Sequence, residues 1–311
     1  MILEVINMSE MVIQTQQLTR RYGRQVSVAD VNLQVPQGSI YGFLGPNGAG
    51  KTTTIRMLLG LIRPTSGRVR LFNQDLEKNR ISVLRRVGSL VESPSYYGHL
   101  TGTENLKVIA RLLGVCDQHV AEVLDLVRLT QAANKQVKGY SLGMKQRLGI
   151  AAALLGSPDL LILDEPTNGL DPAGIQEIRE LILEMPKQHG ITVLVSSHLL
   201  SEIEQMATQV GIINEGKMIF QGPMDDLRRQ SRPQLVLETE RPQDVRNFLQ
   251  DQGWSVTLED GLLSLPNADF ETSAGVNREL VMAGFSVYRM REVKPSLEDI
   301  FLDLVGKGVS L

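Results

Sequence analysis

The sequence predicts an α/β fold built on a mostly parallel sheet, followed by a small α+β domain. Three observations carry the prediction. Short apolar runs alternate with helical patterns through residue 222, as in a parallel sheet covered by helices. A glycine-rich loop, Gly45–Thr52, sits between one such run and a helix. Beyond residue 233 the order becomes β-α-β-β-α-β, a ferredoxin-like layout. The expected division is a tail over 1–11, a first domain over 12–222 with a helical subdomain near 93–158, a linker over 223–233 and an accessory domain over 234–311.

The glycine-rich loop reads Gly45-Pro46-Asn47-Gly48-Ala49-Gly50-Lys51-Thr52, which fits G-x-x-x-x-G-K-[ST]. Ile40–Leu44 before it is an apolar strand, and Thr53–Leu59 after it is a helix that Gly60 can end. Glycines let successive N–H groups point into one concavity, and the helix N-terminus adds partial positive charge. Lys51 can then reach the β- and γ-phosphates of a nucleotide, and the Thr52 hydroxyl can sit on Mg²⁺. Residues 45–52 with Thr53 are therefore the candidate phosphate contacts, and the fold class narrows to a P-loop NTPase.

Taken in order, Val12–Leu18 alternates and is expected to be an edge strand. Val28–Val35 is a second strand, and Pro36-Gln37-Gly38 turns it into Ile40–Leu44. Pro64–Gly67 is a turn and Arg68–Phe72 a strand, and Val87–Glu92 is a short strand ending in a carboxylate. From Thr101 to Gly156 the period is helical: Leu106, Ile109, Ala110 and Leu113 share one face, as do Val120, Val123, Leu124 and Val127. Asp159–Pro166 is an apolar strand ending in two acids, and its hydrophobicity on both faces fits a central parallel strand. Asp171-Pro172 opens a helix with Asp as N-cap, and Ile175, Ile178, Ile182 and Met185 are its buried stripe. Ile191–His198 is the next strand, and Val210–Gln221 a hairpin around Asn214–Lys217. In the accessory domain, strands Leu235–Glu238, Ser255–Leu258, Leu262–Leu265 and Ser286–Met290 alternate with helices through Val245 and Leu280. Pro295–Leu302 is a terminal helix, and Trp254 a core anchor.

At 311 residues, 42% hydrophobic and 22% charged, the chain can fill the cores of a large domain and a smaller one. A net charge of −3 and a pI near 5.9 carry no electrostatic footprint for nucleic acid, so none is expected as partner. Cys116 is the single cysteine, which excludes an internal disulfide and a Cys-rich metal site; it is expected to be a small buried hydrophobe. No apolar run approaches the length needed to cross a bilayer. The first ten residues lack the n-region and cleavage site of a signal peptide, and Met8 and Met11 are alternative starts to Met1.

A loop of this kind serves kinases, GTPases, helicases and transport ATPases alike. What discriminates is Tyr140–Leu148, just before the strand that ends in Asp164 and Glu165. With these motifs in this order, the chain resembles the ATP-binding subunits of ABC transporters over most of its first domain. Ser141-Leu142-Gly143-Met144-Lys145-Gln146 stands where that family carries its Ser-Gly-Gly-Gln signature; Ser141, Gly143 and Gln146 are the implied contacts to a second copy's ATP. A Ser N-cap with free N–H groups at a helix start suits an anion, although Ser141 could also serve only as a cap. The resemblance implies that Asp164 holds Mg²⁺ through water, with Thr52, and that Glu165 polarises the attacking water. One carboxylate on the metal shell and one aimed at the nucleophile is what the chemistry needs. It further implies His198 as a donor to the γ-phosphate and Tyr22 stacking on adenine, with exposed-turn packing as the alternative for Tyr22. Asn168–Asp171 matches the loop that joins two protomers, with Asp171 at the dimer interface.

Glu92 stands where most relatives carry glutamine, and a carboxylate can ligate Mg²⁺ at least as well as an amide oxygen. That residue, the run Glu92–Tyr97 and the wording of Ser141–Gln146 resemble the bacitracin and lantibiotic branch of the family. The resemblance implies an ATPase at the cytoplasmic face of the membrane, paired with a second ATP-binding protomer in a homodimer or heterodimer. It powers a separate multi-span permease that exports peptide antibiotics or similar amphiphiles, with a lipid or an ion as the alternative cargo. Tyr96 and Tyr97 are candidates for the surface that receives the permease, or else aromatic packing beneath a loop. A non-transport ATPase of this family is disfavoured, because translation factors of the type carry two cassettes and repair proteins carry zinc modules or long coiled coils.

Overall fold

The computed structural model describes residues 10–91, 95–229, 234–266, 270–293 and 297–306. The expectations for Glu92 and its neighbours Ser93 and Pro94, for Met1 and Met8, and for Pro295-Ser296 lie outside the described residues. The described chain divides into two compact units between Met224 and Asp225.

The first unit opens with β1 (Met11–Tyr22), β2 (Gln25–Val31), β3 (Gln34–Pro36) and β4 (Ile40–Leu44). Then come α1 (Lys51–Leu58), β5 (Ser66–Leu71), β6 (Gln74–Asp75), α2 (Arg80–Leu84) and β7 (Val87–Leu90). A helical segment follows, with α3 (Gly102–Leu113), α4 (Asp117–Leu126) and α5 (Leu142–Leu154). The chain returns to the sheet through β8 (Leu160–Asp164), α6 (Pro172–His189), β9 (Thr192–Ser197) and α7 (Leu200–Glu204). The unit closes with β10 (Gln209–Asn214) and β11 (Lys217–Pro223).

These strands form two sheets. An antiparallel one runs β2-β1-β5-β6, with β3 also pairing β1. The other runs β11-β10-β4-β9-β8-β7, parallel except for β11 at its edge. Every residue of β4, β8 and β9 is buried, as expected for parallel strands covered on both faces.

Two strand expectations are corrected. Met11–Tyr22 is not an edge: it pairs with β5 on one side and with β2 and β3 on the other. Alternation gives a strand's faces but not its neighbours. The single strand expected over Val28–Val35 is broken at Asn32-Leu33. The buried Thr15 hydroxyl fills the break, donating to the Val31 carbonyl (2.8 Å) and accepting from the Leu33 N–H (2.7 Å).

Local chemistry sets the helix ends. Thr101 and Glu104 form a reciprocal capping box at α3, Ser141 caps α5 through the Met144 N–H, and Asp171 caps α6 with Pro172 at its first position. Glu215-Gly216, both with positive φ, close the β10–β11 hairpin in a two-residue turn of the primed type. On α3, Leu106 and Ala110 are buried but Leu113 is exposed at the last turn, contrary to its expected place on the apolar face. Cys116 is likewise exposed rather than buried, at the N-cap of α4. Ile178, Ile182 and Met185 are buried on α6 as expected, and Ile175 is half-buried.

The second unit begins within α8 (Met224–Arg229), where Met224 and Leu227 are buried. It continues through β12 (Gln234–Thr239), α9 (Pro242–Asp251), β13 (Thr257–Glu259) and β14 (Leu262–Pro266). It ends with α10 (Phe270–Met282), β15 (Val287–Val293) and α11 (Leu297–Val305). Its antiparallel sheet runs β13-β14-β12-β15, the ferredoxin-like order. Leu235, Leu237, Val245, Leu263 and Leu280 are among its core residues, and Trp254 packs against them with its indole N–H on Glu279 Oε2 at 2.8 Å.

α7 seats closely on β4 because Gly42 has no side chain. A Cβ there would lie 2.1 Å from Ile203 Cγ2. We predict that Gly42→Ala destabilises the chain by about 1–3 kcal/mol through overpacking, read as a lower midpoint in urea unfolding followed by far-UV circular dichroism.

Candidate functional site

In the order β4-β9-β8 the carboxyl ends of three buried parallel strands meet at one sheet edge. Ligands of open α/β sheets bind at such edges. β4 delivers the loop 45–50 and the start of α1, β8 delivers Asp164 and Glu165, and β9 delivers Ser196, Ser197 and then His198.

The loop is fixed by close backbone approaches. A Cβ on Gly45 would lie 2.2 Å from the Ile213 carbonyl, and one on Gly50, at φ 107°, would lie 2.6 Å from that of Ser27. Gly45, Pro46, Ala49 and Gly50 are buried, whereas Asn47 and Gly48 are exposed at the tip. The Ala49 carbonyl accepts from the Gly216 N–H (3.0 Å), and Ser27 Oγ lies 3.1 Å from Thr53 Oγ1, so β2 and the β10–β11 turn brace the loop. The first N–H groups of α1 have no partner inside the helix.

Lys51 is buried, and its Nζ donates to the carbonyls of Gly45 (2.7 Å) and Pro46 (3.3 Å) and lies 3.4 Å from Glu165 Oε1. Burial lowers its pKa, with the Glu165 and Asp164 carboxylates pulling the other way. Thr52 Oγ1 donates to Asp164 Oδ2 at 2.9 Å across 112 residues of chain. Both are hard oxygen donors, the kind Mg²⁺ takes together with phosphate oxygens, so the pair fits that ion. Among the described residues no cluster of three or more His, Cys, Asp or Glu could hold a metal by itself.

Glu165 sits at φ 48°, in the left-handed region, just past the end of β8. Its Oε2 is 3.2 Å from His198 Nδ1 and 3.4 Å from Asn168 Nδ2. His198 Nδ1 is buried and, despite that 3.2 Å approach, makes no hydrogen bond of good geometry.

Lys51, Thr52, Asp164, Glu165 and His198 are thus brought together. Ser141, Gly143 and Gln146 are not: they lie on or beside the first turns of α5, and no described hydrogen bond or ion pair joins them to residues 45–53. Ser141 caps its helix at 3.2 Å and is itself exposed, as is Asp171. Tyr22 is exposed at the end of β1, with the Arg20 guanidinium 4.5 Å from its ring centre. Tyr96 turns inward and donates to the Lys145 carbonyl, while Tyr97 is exposed.

Four site residues have no signature in the sequence. Ser196 Oγ donates to Asp164 Oδ1 (2.5 Å) and accepts from the Glu165 N–H (2.9 Å). Ser197, Thr167 and Glu202 form a second buried cluster. Only the pairing of β8 with β9, which sets Asp164 opposite Ser196, reveals the first of these contacts. Ser196→Ala leaves Asp164 and the Glu165 N–H each short of a partner, and should lower unfolding free energy by about 1–3 kcal/mol. Equilibrium urea denaturation checks this; an unchanged midpoint would mean the two bonds add nothing to stability.

Comparisons with known proteins bear on the family. Residues 28–168 match the family described as ABC transporter, and residues 222–305 match the C-terminal domain of DrrA1-3-like ATP-binding proteins. The bacitracin transport ATP-binding protein BcrA of Bacillus licheniformis is 46% identical over 96% of this chain and 98% of its own. The lantibiotic transport ATP-binding protein SrtF of Streptococcus pyogenes is 43% identical over 73% of this chain and 98% of its own. A solved ATP-binding subunit of an ABC transporter, 31% identical, superposes with a TM-score of 0.63 over 70% of this chain and 92% of its own. The chain belongs to the ATP-binding subunits of ABC transporters.

Proposed function

We propose that the chain hydrolyses ATP with Mg²⁺ and uses the cycle to drive a separate multi-span membrane permease that exports peptide antibiotics or similar amphiphiles. The observation that carries the hydrolytic part is the convergence of Lys51, Thr52, Asp164, Glu165 and His198 at the carboxyl ends of β4, β8 and β9. The relatives named for bacitracin and lantibiotic transport support the cargo and the permease. No helix among the described residues is long and apolar enough to cross a membrane.

In this reading the loop amides and Lys51 bind the phosphates, and a γ-phosphate oxygen takes the place of Glu165 as partner of the Lys51 ammonium. That releases the Glu165 carboxylate to accept a proton from the attacking water. His198 donates to the γ-phosphate, with its Nδ1 side against Glu165. Thr52 and Asp164 would hold Mg²⁺, which would neutralise phosphate charge. Tyr22 stacks on the adenine. Ser141, Gly143 and Gln146 point to a nucleotide held by a second copy, with Asp171 at the contact between copies. Two such chains close on two nucleotides at the inner face of the membrane, as a homodimer or with a related subunit.

Glu165→Gln keeps size and removes the base. Phosphate release should fall by roughly 10²–10⁴-fold, while ATP still drives dimerisation in size-exclusion chromatography. Undiminished turnover would remove Glu165 from the role of base.

A further inference from the structure

A buried carboxylate next to the site has no part in the chemistry above. Glu202, on α7, is 8% exposed and accepts hydrogen bonds from Thr167 Oγ1 (2.6 Å) and Ser197 Oγ (3.1 Å). Ser197 Oγ in turn accepts from the Leu199 N–H at 3.0 Å, so the bonds run as a chain from backbone to hydroxyl to carboxylate. Thr167 and Ser197 are themselves buried.

The position of these partners is what gives the contact meaning. Thr167 follows Glu165 by two residues, and Ser197 immediately precedes His198. Glu202 therefore grips both segments that carry the proposed base and its neighbouring imidazole. Its own place is fixed from a third direction. Ile203 is fully buried against Gly42 of β4, the strand that leads into the phosphate loop, and Leu200 is buried beside it. One small cavity is lined by Glu165, Asn168, His198 and Glu202 together.

A carboxylate is a costly way to fill a buried site. Removing one from water costs several kcal/mol, and an apolar side chain of similar volume often stabilises a fold as well or better. What the carboxylate adds is direction: short, charge-assisted bonds hold two hydroxyls in one geometry. We propose that Glu202 is a positioning residue that sets the spacing of Glu165 and His198 by bridging Thr167 and Ser197. The inference rests on the hydrolytic reading of the site.

The test uses the full chain and compares ATP turnover in Glu202→Leu and Thr167→Val with the unaltered protein. Both hydroxyls donate to one oxygen, Glu202 Oε2, so Leu, similar in volume, removes the acceptor of both bonds at once, and Val keeps the shape of Thr without its donor. Misplacement on the ångström scale can cost up to about 100-fold, so each variant should lose roughly 10- to 100-fold in kcat. KM for ATP should stay close to that of the unaltered protein, a split that a purely structural role would not give; the bond that Thr167→Val breaks lowers the urea midpoint, as at Ser196, without unfolding the chain under assay conditions. The double variant should lose little more than either single one, because both substitutions break the same bridge.

An unchanged kcat in Glu202→Leu, or losses that multiply in the double variant, would overturn the positioning role. So would a fall in kcat that only follows a falling midpoint and a rising KM. Should Glu202→Leu not fold, Thr167→Val alone decides by the same criteria. Absence of ATP turnover in the unaltered chain would remove the hydrolytic reading itself, and this inference with it; turnover there with an unaffected Glu202→Leu removes this inference alone.

Discussion

Hydrogen bonding of β9 between β4 and β8 is the constraint on which the rest of the molecule depends. It brings a loop at residue 45, two acids at 164–165 and a histidine at 198 to one edge, although they are far apart in sequence. Parallel strands need crossovers of a dozen residues or more, and here α1, α6 and the α3–α5 segment lie in those connections. Full burial of β4, β8 and β9 leaves little freedom of register, since a slip by one residue would turn every side chain to the other face. Once Asp164 is opposite Ser196, the hydroxyl that serves Asp164 is chosen by the ladder and not by local sequence.

That edge concentrates charge in a dry place. A buried ammonium, Lys51, lies between loop carbonyls and the Glu165 carboxylate, and burial alone would favour its neutral form. Carboxylates nearby offset part of this, and a polyphosphate would offset more. The two adjacent serines of β9 divide the work of orientation: Ser196 serves Asp164 and the Glu165 backbone, while Ser197 serves Glu202. The residues proposed to act on the nucleotide thus stand on a surrounding layer of hydroxyls and backbone groups that are themselves buried and paired.

Much of this was legible beforehand. The strand, glycine loop and helix around Gly45–Thr52 could be read because backbone conformation there demands particular residues in a fixed spacing. The acids ending β8, the Asp171-Pro172 helix start and the Glu215-Gly216 turn were legible for the same reason. What escaped depends on partners distant in sequence. The inner place of β1, the break that Thr15 fills, and the exposure of Leu113 and Cys116 follow from which element happens to pack alongside. Ser196, Thr167, Ser197 and Glu202 are ordinary residue types in ordinary patterns, and only strand pairing and the seat of α7 on Gly42 give them neighbours worth noticing.

Within one chain, the residues at the strand ends can cradle phosphates, but Ser141, Gly143 and Gln146 have no described bond to them. One chain is therefore proposed to be half of a working site, completed by a second copy across the nucleotide. The direct measurement is ATP turnover per chain as the concentration of the purified protein is raised at saturating ATP and Mg²⁺. If two copies complete the site, turnover per chain rises with concentration and levels off where the dimer is fully formed. Turnover that is the same per chain at every concentration, with the protein shown to be monomeric throughout, would contradict it.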